Sequence, residues 1–214
     1  MKLLKLFLKS ELNLDPDLYM NKFIQYEKLL LEKNKTVNLV SRKSKTIEDH
    51  ILNSVFFLKN FKLRKGCLIL DLGTGGGFPG IPLKILFPES YITMIDSIKK
   101  KTNALNEIVN GLNLNNAEIL CGRAEELSES DFYKNKFDYV ISKAVAPLKN
   151  LFEWGKNFLN PEGEILCIKG GDLCSELSEL KKLRKPPSVE IINYDFDAMY
   201  KIEDKKLAVL RNNF

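Results

Sequence analysis

Histidine is almost absent from this chain of 214 residues, in which His50 is the single example. A zinc site of cysteine and histidine ligands is therefore disfavoured, and a triad or a Cys–His pair would depend on that one residue. The four cysteines form no Cys-x-x-Cys pair. We expect buried free thiols in a reducing cytoplasm and no metal site.

Long uncharged apolar runs are also missing, which argues against a transmembrane helix. The N-terminal segment MKLLKLFLKS has lysine inside its apolar stretch, and no small-residue cleavage site follows it. It therefore predicts an amphipathic helix rather than an export signal. We expect a cytoplasmic protein that makes no membrane contact.

The net charge is only +5, but the basic residues are clustered. Any one cluster is compatible with an ordinary solvated surface. Several clusters on one chain weakly favour a polyanionic partner such as RNA. The main clusters are Lys33 with Lys35, Arg42 to Lys45, Lys99 to Lys101, Lys181 to Lys185, and Lys205 with Lys206.

Two types of periodicity divide the chain. Apolar residues recur at helical spacing between Asp15 and Leu31 and between Thr46 and Lys59. We predict a helical N-terminal extension over residues 1–65 and one α/β domain over residues 66–214. In the second part, short apolar runs alternate with helix-length segments: CLILDLG, YITMIDS, AEILCG, FDYVISKA and GEILCIKGG.

Such alternation indicates βαβ units and a parallel sheet with helices on both faces. Two further strands, SVEIINYDF and KKLAVLRN, have no helix-length segment between them. They predict an antiparallel hairpin at one edge. The expected fold is therefore a seven-stranded, mostly parallel, Rossmann-like sheet.

A glycine-rich loop follows the first predicted strand, in LDLGTGGGFPG. Gly75, Gly77 and Gly80 match the G-x-G-x-x-G pattern of dinucleotide-binding folds, but the match starts several residues after the strand. Asp71 and Gly73 lead instead into an acidic, glycine-rich pattern directly at the strand end, which suits S-adenosylmethionine. A P-loop is excluded because no Gly-Lys-Ser/Thr follows.

Two further strand ends fit a bound nucleoside. Asp96 closes the second strand, where a carboxylate can accept hydrogen bonds from ribose hydroxyls; a helix cap is the alternative interpretation. Ala124 and Glu125 follow the third strand in GRAEEL and could flank an adenine ring. These features do not distinguish NAD from S-adenosylmethionine.

The fourth strand ends in ISKAVAPL, where methyltransferases usually carry their acceptor chemistry. It contains neither an Asn/Asp-Pro-Pro-aromatic box nor a Pro-Cys pair. The acceptor is therefore expected to need little activation, and a ring nitrogen such as guanine N7 qualifies. Tyr139 and Lys143 formally match the Tyr-x-x-x-Lys pair of short-chain dehydrogenases, but that pair belongs on a helix and here lies on a predicted strand.

Together, LDLGTGGGFPGIPLKILFP, IDSIKKK, GRAEEL, SKAVAPL and CIKGG resemble the 16S ribosomal RNA guanine-N7 methyltransferase family, also called glucose-inhibited division protein B. The N-terminal NKTVNLVS and DHILNSVFFL add to the resemblance, which covers about Tyr26 to Lys169. It implies methyl transfer from S-adenosylmethionine to N7 of guanine 527 in the decoding-site loop of 16S rRNA. A nicotinamide-dependent oxidoreductase and a non-catalytic nucleotide-binding regulator remain the alternatives.

The resemblance also implies roles for individual residues. Lys143 stands where the family usually has arginine, so it keeps the charge but loses the planar fork. Lys143 and Lys169 are the positioning candidates, and we expect a monomer that acts on the 16S rRNA of the small ribosomal subunit. The implied cofactor-binding residues are Gly73, Gly75, Phe78, Asp96, Ala124, Glu125 and Lys143, and the RNA-binding candidates are Asn38, His50, Lys169 and Arg211.

Overall fold

The apolar runs form one seven-stranded sheet in the computed structural model, which describes residues 1–212. Its strand order is β3-β2-β1-β4-β5-β7-β6. The first five strands are parallel, and β7 lies antiparallel between β5 and β6. The strands are β1 (Leu68–Leu72), β2 (Tyr91–Asp96), β3 (Ala117–Cys121), β4 (Phe137–Lys143), β5 (Leu159–Gly170), β6 (Ser188–Asn193) and β7 (Lys205–Arg211).

The predicted fold class is confirmed, including the antiparallel C-terminal pair of strands. The largest difference in a strand boundary is at β5, which begins at Leu159 rather than at the predicted Gly163, and β6 ends at Asn193 rather than at the predicted Phe196. Phe137 pairs with Leu159, but Tyr139 already pairs with Glu164, so the register of β5 shifts between these two pairs. Periodicity does not detect such an irregularity because the alternation of side chains is broken there.

Eight α-helices cover the two faces of the sheet within residues 1–212. α1 to α5 share one apolar core with the sheet, and α7 and α8 pack on the opposite face. No helix in this part of the chain has both the length and the apolar character needed to cross a bilayer. The helices are α1 (Lys2–Ser10), α2 (Met20–Lys33), α3 (Glu48–Val55), α4 (Gly80–Leu86), α5 (Lys99–Gly111), α6 (Ala124–Leu127), α7 (Leu148–Gly155) and α8 (Cys174–Lys181).

The N-terminal helices contact distant parts of the chain. In α1 the buried side chains of Leu4, Phe7 and Leu8 recur at helical spacing. The ring of Phe7 lies 5.4 Å from that of Phe196 and 5.2 Å from that of Tyr200, between ring centroids. The predicted boundary after residue 65 falls in the segment that leads into β1 and stays a prediction.

The cysteines are all free, but only two of them are buried. Burial raises the pKa of Cys167 to about 12, so its thiol is neutral and inert. Cys121 and Cys174 are exposed, contrary to the expectation of buried thiols. Cys121 ends β3, which is an edge strand with one unpaired side.

Tyr26 of α2 connects the N-terminal helices to the loop that follows β1. Its side chain is fully buried, and its hydroxyl donates a hydrogen bond to the carbonyl oxygen of Gly76 over 2.7 Å. Without that donor, a buried carbonyl group would lose its partner. Burial also raises the pKa of the Tyr26 phenol well above its ordinary value, so the hydroxyl remains a donor.

We therefore predict that Tyr26→Phe lowers the free energy of unfolding by about 1–3 kcal/mol, the usual cost of an unsatisfied buried acceptor. Urea denaturation followed by circular dichroism measures this difference. Tyr91→Phe is the matched control, because the Tyr91 side chain is 54% exposed on β2 and its change should have almost no effect. Equal losses in both variants would contradict the proposed role of the hydroxyl.

Candidate active site at the carboxyl edge of the sheet

The glycine loop, residues 73–80, leaves the carboxyl end of β1, the point where the strand order reverses between β2 and β4. Ligands of open α/β sheets bind at such a switch point. The backbone N–H groups of Gly73 and Thr74 donate to the carbonyl oxygen of Ile95 on β2. Gly73 has φ +76°, a conformation that other residues seldom adopt.

Asp71 lies fully buried beneath this loop. Its Oδ2 accepts the backbone N–H of Gly80 at 2.8 Å, which joins the end of β1 to the start of α4. Its Oδ1 has no hydrogen-bond partner among residues 1–212. Burial raises the pKa of Asp71 to about 6, because removing water disfavours the charged carboxylate.

Asp96 ends β2 and is anchored by the backbone on both sides. Its Oδ2 accepts the N–H of Gly75 at 3.0 Å, and its Oδ1 accepts the N–H of Ile98 at 2.9 Å. The bond to Ile98 is a local Asx turn and not a cap of α5, whose N-cap residue is Ile98 and has no side-chain cap. A carboxylate has about four lone-pair sites, so it can still accept hydroxyl groups from a ligand.

A cavity of about 200 Å³ opens beside Asp96, between the ends of β1, β2 and β3. Gly73 and Asp96 line it on one side, and Ala124 and Glu125 line it on the other. Trp154 of α7 contributes an aromatic surface. Four predicted cofactor residues are therefore brought together around one cavity.

A second cavity, of about 710 Å³, lies next to the first. α3 contributes Asp49, His50 and Asn53, and the strand ends contribute Lys143, Lys169 and Lys205. The β4–α7 loop, residues 144–147, lies between the two cavities, and Val145 of this loop lines both. We call the 200 Å³ cavity the small cavity and the 710 Å³ cavity the large cavity.

Phe78 does not line the small cavity, where the resemblance implied a cofactor contact. It is buried instead beneath the large cavity. The ring of His50 stacks on it with 5.2 Å between centroids, and the Nζ of Lys143 lies 5.2 Å from its centroid. Burial, and then the positive charge of Lys143, lowers the pKa of His50.

Lys143 ends β4 and faces the same large cavity. Burial lowers its pKa; the carboxylate of Asp71 opposes this shift, and the ammonium of Lys205 adds to it. Neither Lys143 nor Lys205 forms an ion pair with any residue of the described chain 1–212. The large cavity therefore holds two ammonium groups that form no ion pair among the described residues, although the carboxylates of Asp49 and Glu176 also line it.

The other RNA-binding candidates are arranged differently. Lys169 lines the large cavity, but its ammonium already contacts protein oxygens of Ala146 and Glu176. Asn38 is exposed on the loop after α2. Arg211 is not brought to the site: it pairs with Glu164 and Glu190 at the opposite edge of the sheet, where β7 ends.

Residues 19–199 match the family model GidB, described as rRNA small subunit methyltransferase G. The chain belongs to the rRNA small subunit methyltransferase G family.

Curated relatives of that name agree with the match. The protein from Mycoplasma capricolum subsp. capricolum is 41% identical over 175 residues, which are 81% of this chain and 74% of the relative. The protein from Clostridium novyi (strain NT) is 40% identical over 164 residues, 76% of this chain and 68% of the relative. A solved S-adenosylmethionine-dependent methyltransferase from Aquifex aeolicus has a TM-score of 0.54 at 19% identity, covering 74% of this chain and 90% of its own.

Family membership makes this protein an S-adenosylmethionine-dependent rRNA methyltransferase. The NAD interpretation of the glycine loop is therefore wrong. The small cavity suits the adenosyl part of the cofactor, because the Asp96 carboxylate lines it and can accept ribose hydroxyls. When bound, S-adenosylmethionine supplies an electrophilic methyl group.

Several residues of the site escaped sequence analysis. Asp49 and Asn53 lie on α3 and line the large cavity beside His50. Asp49 and Asn53 are four residues apart, about one helical turn, and that spacing was a usable signal. Val145 and Glu176 carried no such signal, because they meet the site only through the packing of α7, α8 and the strand ends.

We predict that Gly73→Ala weakens S-adenosylhomocysteine binding at least about tenfold. A Cβ at Gly73 would add bulk to the lining of the small cavity and would lie 2.8 Å from Cγ2 of Val145, so that side chain would have to shift. Gly66→Ala is the matched control: Gly66 has a similar φ of +67°, but a Cβ there meets nothing within 4 Å. Both variants should lose about 1 kcal/mol of stability from the left-handed backbone, and only Gly73→Ala should lose affinity in isothermal titration calorimetry.

The raised pKa of Asp71 predicts a pH dependence of stability. The pKa of Asp71 is about 6 in the folded state, whereas an aspartate of the unfolded chain releases its proton near the ordinary pKa of 3.8. The stabilisation that the protonated Asp71 contributes is therefore complete below pH 3.8 and is lost as the pH rises through 6. Asp71→Asn has no titrating group at this position. Its free energy of unfolding should therefore exceed that of the wild type by an amount that rises between pH 4 and pH 7 to about 3 kcal/mol.

Urea unfolding of both proteins across this pH range gives the difference directly. Asp172→Asn is a useful control, because a hydrogen bond with Cys174 lowers the pKa of the exposed Asp172. Its effect should be small and of opposite sign. A difference between Asp71→Asn and wild type that does not vary with pH would contradict the assignment.

Proposed function

We propose that this enzyme transfers a methyl group from S-adenosylmethionine to N7 of guanine 527 in the decoding-site loop of 16S rRNA. The observation that carries the proposal is the pair of unpaired ammonium groups, Lys143 and Lys205, in the large cavity beside the small one. Ammonium groups that form no ion pair within the protein suit a substrate that carries phosphates and electron-rich bases. The family match supplies the rRNA class of the substrate.

The two cavities suit the two substrates. The small cavity has the carboxylate, glycine and aromatic surfaces that an adenosyl group needs. The large cavity has room for a base turned out of its stack, as enzymes that modify bases require. Val145 is common to both linings, so the methyl group would cross at this residue.

The polarity of the large cavity favours guanine over adenine. Guanine has two adjacent acceptors, N7 and O6, on one edge and N–H donors on its pairing edge. The ammonium groups of Lys143 and Lys205 suit O6, and the oxygens of Asp49 and Asn53 suit the donors. The Oδ1 of Asn53 is buried and has no hydrogen-bond partner within residues 1–212. Adenine would instead direct its amino group at the ammonium groups.

N7 also fits the chemistry of the residues present. Its lone pair is free at neutral pH, so attack on the methyl carbon needs no general base. Burial keeps the pKa of His50 below its ordinary value, and the neutral imidazole stacks on Phe78. We infer that His50 has a structural role in the wall of the large cavity. Catalysis then depends mainly on alignment of the reacting atoms.

The site residues follow from this assignment. We propose that Gly73, Gly75, Asp96, Ala124 and Glu125 bind the cofactor. Phe78, Lys143 and His50 act on the acceptor side, and Asn38 contacts RNA. Arg211 is left out because its two carboxylate partners hold it at the opposite edge.

The wider setting is also part of the proposal. We propose that residues 1–65 form a helical extension of the catalytic domain, residues 66–214. We further propose that the enzyme acts as a monomer in the cytoplasm on the 16S rRNA of the small ribosomal subunit. Binding through phosphates predicts that activity falls as salt rises.

The test is methyl transfer from labelled S-adenosylmethionine to small subunits that lack the modification. Borohydride reduction followed by aniline cleaves RNA at N7-methylguanine, and primer extension maps the break. We expect a single break at guanine 527. Lys143→Met should lower the rate at least about tenfold while cofactor affinity stays within threefold, because the variant removes the ammonium group next to O6.

Other outcomes contradict separate parts of the proposal. Labelling without cleavage would retain methyl transfer and reject N7. A break at another guanine would reject the position. Equal losses of rate and cofactor affinity in Lys143→Met would move Lys143 to the cofactor side.

A further inference from the structure

We propose that Glu176 and Lys169 form a clamp that holds the β4–α7 loop in place and so positions Val145 at the boundary between the two cavities. The inference rests on the proposed assignment of those cavities to cofactor and base. It gives Glu176 the role of a positioning residue for methyl transfer. It also gives the ammonium of Lys169 a partner other than RNA phosphate.

Three hydrogen bonds make up the clamp. The Oε2 of Glu176 accepts the backbone N–H of Leu148 at 2.8 Å, at the first residue of α7. The same oxygen accepts Nζ of Lys169 at 2.8 Å. That Nζ also donates to the carbonyl oxygen of Ala146 at 2.7 Å. One carboxylate from α8 and one ammonium from β5 thus hold the loop near its C-terminal end.

The loop needs such support because its own contacts are weak. Ala144 has φ +54°, a left-handed conformation that costs a non-glycine residue about 1 kcal/mol. Ala144, Val145 and Pro147 are exposed. The Lys169 side chain is only 10% exposed, so its charge requires a partner. The clamp satisfies that charge and restrains the loop with the same atoms.

Val145 connects the position of the β4–α7 loop to the geometry of both cavities. Its side chain packs so closely over Gly73 that a Cβ there would lie 2.8 Å from it. It also lines both the small and the large cavity. A shift of the loop would therefore change the separation of cofactor and base, and errors of about 1 Å in such alignment can cost a hundredfold in rate.

The test compares Glu176→Ala and Glu176→Gln with Glu179→Ala. Glu179 lies on the same helix, one turn further on, and its partner is the exposed Lys182. Four quantities are measured for each variant: the rate of hydrogen exchange of the Leu148 amide, the affinity for S-adenosylhomocysteine, and kcat and KM with small subunits. Thermal unfolding checks that each variant is folded.

We expect Glu176→Ala to speed exchange at Leu148 at least about tenfold and to lower kcat by about tenfold or more, with KM and cofactor affinity within about threefold. Glu176→Gln should recover most of kcat, since its amide oxygen can still accept the Leu148 N–H. If Glu176→Ala does not fold, the Gln variant should show the same changes at smaller size. Glu179→Ala should resemble the wild type.

Lys169→Ala separates a clamp from a phosphate contact. In the clamp, Lys169→Ala and the double variant with Glu176→Ala lose about the same kcat as Glu176→Ala alone, because the residues act as one unit. A raised KM for subunits with unchanged kcat would make Lys169 an RNA ligand and overturn the inference. Glu176 variants indistinguishable from Glu179→Ala would also overturn it. Failure of the wild type to methylate guanine N7 would instead reject the proposed function, while the exchange data would still report on the clamp.

Discussion

The site depends on a hydrogen bond between a carboxylate sealed beneath the glycine loop and the first turn of the following helix. Asp71 has no contact with solvent, yet its Oδ2 accepts the N–H of Gly80 at 2.8 Å and closes the loop at its base. The loop then reaches β2 through Gly73 and Asp96, and α2 through Tyr26. Burial disfavours the charged form of the Asp71 carboxylate and so lowers the stability of the protein. The same buried group fixes the geometry of the loop that lines the small cavity.

Local patterns were enough to predict the sheet and half of the site. Parallel strands buried on both faces read as continuous apolar runs, so the strands of LILDL and YITMID were evident. The carboxyl ends of such strands meet at one edge, which is why the sequence predicts that Gly73, Asp96, Ala124 and Glu125 lie close together. The last two strands were also recognisable from the missing helix between them.

Contacts between distant segments could not be predicted in this way. Arg211 follows an apolar strand just as Lys143 does, but β7 runs antiparallel, so its end lies at the other edge, beside Glu164. Glu176 reaches Leu148 only because α8 packs against α7, a matter of side-chain shape that periodicity does not encode. Phe78 lies in the glycine-rich motif, but its buried ring stacks against His50 and does not line the small cavity.

The contacts of the Phe7 ring with the rings of Phe196 and Tyr200 affect how the chain folds while it is being synthesised. They connect α1 to residues that follow it by about 190 positions in the chain, so α1 cannot bury its apolar face until those residues have been synthesised. Contacts of such long sequence separation are slow to form and leave apolar surface exposed in the meantime. The apolar face of α1 is therefore a surface that a chaperone could bind while the chain is still being synthesised.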